Sequence, residues 1–199
     1  MLEVKLKNKT VVIAAFPGMG KTFYKNNCNG FTVSDSDSSQ FSWTIDEEGN
    51  KIRNPEFPNN YIEHIKSLIG KVDFIFVSTH EPVLRALIEN NIYFFLLYPP
   101  MDNKPIMIER YYERGSDNKL IKTIYDNYDK WIGTLETDPD FNDITKCANA
   151  CEAQYISGFI KTYILDEKGN IGSNDYIFNN LQYLCKKYIK YNENKESDP

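Results

Sequence analysis

The stretch that decides the fold is TVVIAAFPGMGKT, residues 10–22. It begins with a β-prone apolar run, Val11-Val12-Ile13-Ala14-Ala15. It passes through a turn at Pro17-Gly18-Met19-Gly20 and reaches Lys21-Thr22, after which Phe23-Tyr24-Lys25 can start a helix. A strand, a glycine turn and a helix N-terminus aim several backbone N–H groups at one point, and the helix dipole and Lys21 add positive charge there. Such a loop suits a polyphosphate, with Pro17, Gly18, Met19, Gly20, Lys21, Thr22 and Phe23 around it. The Thr22 hydroxyl is a ligand for the Mg2+ that accompanies a nucleoside triphosphate. Against the pattern G-x-x-x-x-G-K-S/T one residue differs: the first glycine is Ala15.

The rest of the chain is long enough to give this loop a sheet to sit on. Its 199 residues fit a single domain, 1–199, and 41% hydrophobic with 14% aromatic residues is globular composition. A net charge of −5 argues against broad nucleic-acid binding. No apolar run approaches a membrane span, and the start, MLEVK, is not a signal peptide, so a cytoplasmic protein is expected. Cys28, Cys147, Cys151 and Cys185 read as free thiols in a reducing compartment; Cys147 and Cys151 alone make a weak zinc signal. The polar end, 191–199, is expected to fray.

Taken in order, the pattern predicts a strand over 10–16, a helix over 20–27 and a short strand over 30–34. An irregular segment over 42–57 follows, with a turn at Glu48-Gly49-Asn50 that can close a small hairpin, then a helix over 58–69. Continuous apolar runs at 74–78 and 92–98 read as buried parallel strands, separated by a helix that Pro82 opens. Helices are expected over 105–114 and 118–135, another short one within 136–155, a last strand over 160–165 and a final helix over 176–191. Alternating strands and helices imply an α/β fold whose ligands bind beyond the carboxyl ends of the strands.

Three of those ends carry polar groups. The second strand leads to Asp35 and Asp37, which can hold Mg2+ or take a proton from an attacking hydroxyl; Asp-Ser-Asp-Ser is also good helix-capping sequence. The third leads to Ser78-Thr79-His80-Glu81, with no carboxylate directly at its end, so Asp35 together with Thr22 is the expected metal pair. His80 is a candidate to meet substrate or a capping residue. Arg53 and Arg85 are candidates for the acceptor's phosphate. Arg110 and Arg114, four apart on a helix, are candidates to arrive over the transferred phosphoryl group, or they pair in solvent with Glu109 and Glu113.

With AAFPGMGKT, SDSDSSQF, FPNNYIEHIKSL, DFIFVSTHEPVLRALIENNIYFFLLYPP and IERYYERG in view, residues 10–135 resemble the nucleoside monophosphate kinase-like branch of the P-loop kinases. Within it they look most like small phage-encoded nucleotide kinases or P-loop ATPases. The resemblance implies a three-layer sandwich with a five-stranded parallel sheet in the order 2-3-1-4-5 and helices on both faces. It implies ATP and Mg2+ on the loop, an acceptor-binding segment at about 42–69 and a small helical lid at about 101–118. It also implies Lys21, Asp35, Asp37, Arg110 and Arg114 as catalytic residues, with Asp37, Arg53, His80 and Arg85 at the acceptor. A phage-encoded protein of this kind would work in the host cytoplasm, as a monomer or homodimer.

The function expected on these grounds is transfer of the ATP γ-phosphate to a nucleoside monophosphate, most plausibly a deoxynucleotide. Alternatives are another small hydroxyl acceptor or a polynucleotide 5′ end, which the acidic chain disfavours, and a nucleotide-binding protein without turnover. Ala15 and the missing acid after the third strand motivate the last of these.

Overall fold

The computed structural model describes residues 10–28, 30–143, 145–150, 155–177 and 179–180. Cys151, Cys185, the segment 2–7, the tail 191–199 and the expected helix beyond 180 lie outside them. The elements are β1 (Val11–Ala15), α1 (Lys21–Asn27), β2 (Val33–Asp35), α2 (Ser39–Ser42), β3 (Trp43–Ile45), β4 (Lys51–Arg53), α3 (Asn59–Leu68) and β5 (Phe74–Val77). Then come α4 (Glu81–Glu89), β6 (Phe94–Leu97), α5 (Lys104–Glu113), α6 (Asn118–Thr137), β7 (Cys147–Ala150) and α7 (Ile156–Phe159), which runs into a π-helical turn, Ile160–Ile164.

The fold is α/β. Five strands form one sheet in the order β2-β5-β1-β6-β7, and every pairing in it is parallel. β1 lies at the centre, where Ile13 faces Phe76 of β5 on one side and Phe95 of β6 on the other. Every residue of β1, β5 and β6 is buried, which is why these strands read as unbroken apolar runs instead of alternating ones. The helices show the complementary pattern, one apolar stripe each. On α6, Ile121, Ile124, Tyr128, Ile132 and Leu135 are buried at helical spacing. On α4, Val83, Leu84, Ala86 and Leu87 are buried behind a proline in the first turn.

Strand order departs from the expected 2-3-1-4-5 in two ways. The hairpin strands β3 and β4 fall between β2 and β5 in the chain and form their own antiparallel pair. The strand beside β6 is Cys147–Ala150, in a region expected to hold a short helix, and not 160–165. The sequence CANA has little β preference, so its strand state comes from pairing with β6. Residues 160–164 are π-helical; with Ile156, Phe159, Ile160 and Ile164 all buried, their spacing is that of a helical stripe. Only Leu165 of the expected strand makes a sheet-like contact, an isolated bridge to Ile171.

Candidate active site

The loop begins where β1 ends. Ala15 is still in register with Leu97 of β6 and is fully buried. The position that carries glycine in the pattern is therefore an extended strand residue, where a Cβ causes no backbone strain. Left-handed backbone is needed further on, at Gly18 (φ 87°) and Gly20 (φ 85°), and both are glycine. Gly20 precedes α1, whose first turn has no side-chain cap.

Lys21 lies over this loop. Its ammonium donates to the carbonyl of Ala15 and, at 3.4 Å, to that of Phe16. Burial pulls its pKa down to about 8; Asp35 and Asp37 oppose that shift, and Arg114 adds to it. Thr22 Oγ1 donates to Asp35 Oδ2 at 2.6 Å, so the hydroxyl and the carboxylate from the end of β2 sit together. Asp37 has two roles. It faces the same cavity as Lys21, and its Oδ1 accepts the Ser39 N–H at 2.9 Å, shaping the turn into α2. The turn between the two acids is held from beneath, since the Tyr61 hydroxyl donates to the Ser36 carbonyl at 2.6 Å.

The fourth wall is α5. Tyr111 donates its hydroxyl to the carbonyl of Pro17, and both Tyr111 and Met107 are buried against the loop. A Cβ on Gly18 would come within 2.8 Å of Met107 Cε and 3.1 Å of the Tyr111 hydroxyl; the methionine tip can shift aside, so it is φ that requires glycine there. This seat carries Arg110 and Arg114 into the cavity wall. The Arg110 guanidinium lies 4.2 Å from the centre of the Tyr155 ring, and that of Arg114 lies 4.4 Å from the centre of the Tyr111 ring. Arg114 also donates from Nε to Ser116 Oγ at 2.6 Å.

Together these residues surround a cavity of about 700 Å3 at the carboxyl ends of β1, β2 and β5. Lys21, Thr22, Asp35, Asp37, Arg110 and Arg114 all line it, along with Pro17, Gly18, Gly20 and Phe23 of the loop. Met19 does not; it is fully buried beneath the loop. Among the described residues no group of three or more His, Cys, Asp or Glu side chains forms a metal cluster. Mg2+ needs only one or two protein oxygens when phosphate oxygens and water complete its shell, and the Thr22–Asp35 pair meets that requirement.

Three expected acceptor residues stand outside this cavity. Arg85 is paired with Asp138 and, at 2.7 Å, with Asp140, and its guanidinium covers the Phe141 ring at 4.7 Å. It ties α4 to the segment after α6. Arg53 lies on the exposed hairpin, 5.5 Å from the Trp43 ring centre and 4.5 Å from that of Phe57. His80 stands before α4, stacked 6.0 Å from Phe57, and lines a second cavity. Tyr155, Glu113 and Ser78 also line the larger cavity and Tyr111 holds its loop, roles that the sequence reading did not give them. For Tyr111 a signal was present, an aromatic one position after Arg110 in the same helix. Tyr155 follows β7 and is brought to the loop by Ile156, whose N–H donates to the Met19 carbonyl at 2.9 Å.

Comparison of the chain with protein-family models, curated proteins and solved structures gave no significant match. Among the described residues no helix is long and apolar enough to cross a membrane.

Proposed function

We propose that the protein is an ATP-dependent phosphotransferase of the P-loop kinase type, built as a three-layer sandwich with α5 as its lid. The observation that carries this reading is the convergence of Lys21, Asp35, Asp37, Arg110 and Arg114 on one cavity beside a glycine loop. Backbone amides of the loop and Lys21 bind the β- and γ-phosphates of ATP. To do so Lys21 leaves the carbonyls of Ala15 and Phe16 for phosphate oxygens, which restores its ordinary basicity. Thr22 and Asp35 would hold Mg2+, which would supply charge neutralisation for the transferred group.

In the transfer, the acceptor hydroxyl oxygen forms a bond to the γ-phosphorus. The bond from that phosphorus to the β–γ bridging oxygen breaks, and ADP leaves. Asp37 takes the hydroxyl proton. Arg110 and Arg114 come off the Tyr155 and Tyr111 rings to meet charge on the equatorial oxygens. The sequence resemblance implies a nucleoside monophosphate under residues 42–69, but Arg53 and Arg85, expected at its phosphate, stand outside the cavity, so the acceptor is proposed as a hydroxyl and no further.

The test is ADP release from Mg·ATP by the purified protein with a panel of nucleosides, nucleoside monophosphates and small alcohols. An acceptor-dependent rate that disappears in Lys21→Ala is expected. ATP binding with no acceptor-dependent ADP across the panel would sink the enzyme reading and leave a nucleotide-binding protein.

A further inference from the structure

We propose that the hydroxyl acceptor binds in a second cavity, of about 310 Å3, on the other side of Pro17 and Ser78, and that it is an uncharged, nucleoside-sized heteroaromatic and not a phosphomonoester. The inference rests on the phosphotransferase reading for the word acceptor, but the binding site it assigns can be tested without turnover.

Position comes first. The second cavity lies between the segment after β5, residues 78–82, and the face of α6 that carries Trp131 and Thr134. It shares Pro17 and Ser78 with the phosphate cavity, so a ligand in one abuts a ligand in the other. At the shared wall the Ser78 hydroxyl is 2.9 Å from that of Ser38, the residue that follows Asp37. A hydroxyl reaching past this serine pair enters the phosphate cavity on the side of its carboxylates.

Size and lining set the class of ligand. A volume of about 310 Å3 is at the small end for ligand pockets, roughly 300–1,000 Å3, and suits one ring system with a short hydroxylated arm. The apolar walls include Phe16 and Trp131, whose rings meet edge to face at 6.4 Å. Trp131 is partly exposed, so it has ring surface left for a flat ligand. Hydroxyls of Ser38, Thr79 and Thr134 and the His80 imidazole supply neutral hydrogen bonds. Burial lowers the His80 pKa, and Arg53 lowers it further, against an opposing effect of Glu81, so the ring is neutral near pH 7.

Charge excludes the phosphomonoester. Among the described wall residues the charged ones are Glu81 and Lys130, one of each sign, and none is an arginine. The arginine that could have entered, Arg85, is held by Asp138 and Asp140 and by Glu81 itself at 3.5 Å. Arg53 is stacked between Trp43 and Phe57 outside the cavity wall. A dianionic phosphate moved into such a site loses its hydration and gains one lysine, Lys130, offset by Glu81, with no arginine fork to take it.

The experiment uses Trp43→Phe protein, in which Trp131 is the one remaining indole. Its emission is titrated with thymidine and adenosine, and with their 5′-monophosphates, in otherwise wild-type and in Lys21→Ala backgrounds. Saturable quenching by at least one nucleoside in both backgrounds is expected, with the matching monophosphate weaker by about tenfold or more. Thr134→Phe, which fills the cavity, should weaken nucleoside binding by about tenfold or more while its melting temperature shows that it still folds. No saturable quenching by either nucleoside, tighter binding of the monophosphate, or indifference to Thr134→Phe in folded protein would each overturn the assignment. ADP formation with monophosphates alone would remove the neutral acceptor and keep the phosphotransferase. Nucleoside binding without ADP formation would keep the site and remove the enzyme.

Discussion

Two cavities share a wall at Pro17 and Ser78, and they differ in the way that matters most for chemistry. The larger one gathers a lysine, two arginines and three carboxylates; the smaller one has aromatic walls, hydroxyls and one charge of each sign. Different helices line them, α1 and α5 the larger and α4 and α6 the smaller, and the two linings share Pro17 and Ser78. What separates them is pairing. Arg114 rests on the Tyr111 ring and the Ser116 hydroxyl, uncharged partners that a phosphate can displace. Arg85 is committed to two carboxylates and stays where it is. An arginine is available to a ligand only to the extent that its present partners are weaker than the ligand.

The contrast can be broken most forcefully at the arginine pair. Replacing Arg110 and Arg114 together by alanine is expected to lower kcat for ADP formation by roughly 10³-fold, with the circular dichroism spectrum unchanged. A loss below about tenfold would mean that the charge in the larger cavity is not used on the transferred group.

A pH titration sharpens the same side. In the free protein Lys21 loses its proton at about pH 8, well below the ordinary lysine value. Phosphate binds the protonated form, so ATP affinity should be flat below pH 7 and fall by about tenfold per pH unit above 8. Calorimetric titration from pH 6.5 to 9.5 reads this, and Lys21→Arg, whose charge does not titrate in that range, should give a flat profile. A flat profile in the wild type would show that Lys21 keeps its proton in spite of its burial.

Arg85→Ala probes the boundary of the smaller cavity. Its ion pairs are partly exposed, so a stability loss of about 1–2 kcal/mol is expected, between the values for surface and buried pairs. The acceptor KM should stay within about twofold. A KM rise of tenfold would return Arg85 to the acceptor site that the sequence suggested for it. The smallest effect is expected at Ala15→Gly. The site is a buried strand position, so glycine should cost about 0.5–1 kcal/mol on thermal melting and bring no gain in turnover.

How much was legible in the sequence follows from how far apart the interacting residues lie. The loop, Asp35 and Thr22 are close in sequence or fixed by strand ends, so a local pattern places them. The arginine helix was legible because a four-residue spacing on a helix is geometry in itself. The pairing of Arg85 spans more than fifty residues to Asp138 and Asp140, and no local pattern encodes it. The second cavity is assembled from the loop, Ser38, the segment after β5 and α6, four separate regions, and was invisible for the same reason. At β7 the difficulty was of another kind. A short, weakly β-prone sequence becomes a strand because β6 offers it an edge, while 160–164, richer in β-branched residues, coils against the core.

The contact of Tyr111 with Pro17 has a mechanical consequence. Along α5, Arg114 lies three residues beyond that contact, a rise of about 4.5 Å. A tilt of roughly 10° about the tyrosine would then shift the arginine's backbone by less than about 1 Å. On so short a lever α5 would serve as a fixed lid and not a swinging one. Its arginines reach a phosphate by turning their own side chains, on the nanosecond scale of rotamer exchange and not the slower scale of a closing segment. In the phosphotransferase proposed above, such an arrangement would keep the cations within reach at every turnover and leave product departure, more than closure, to limit the rate.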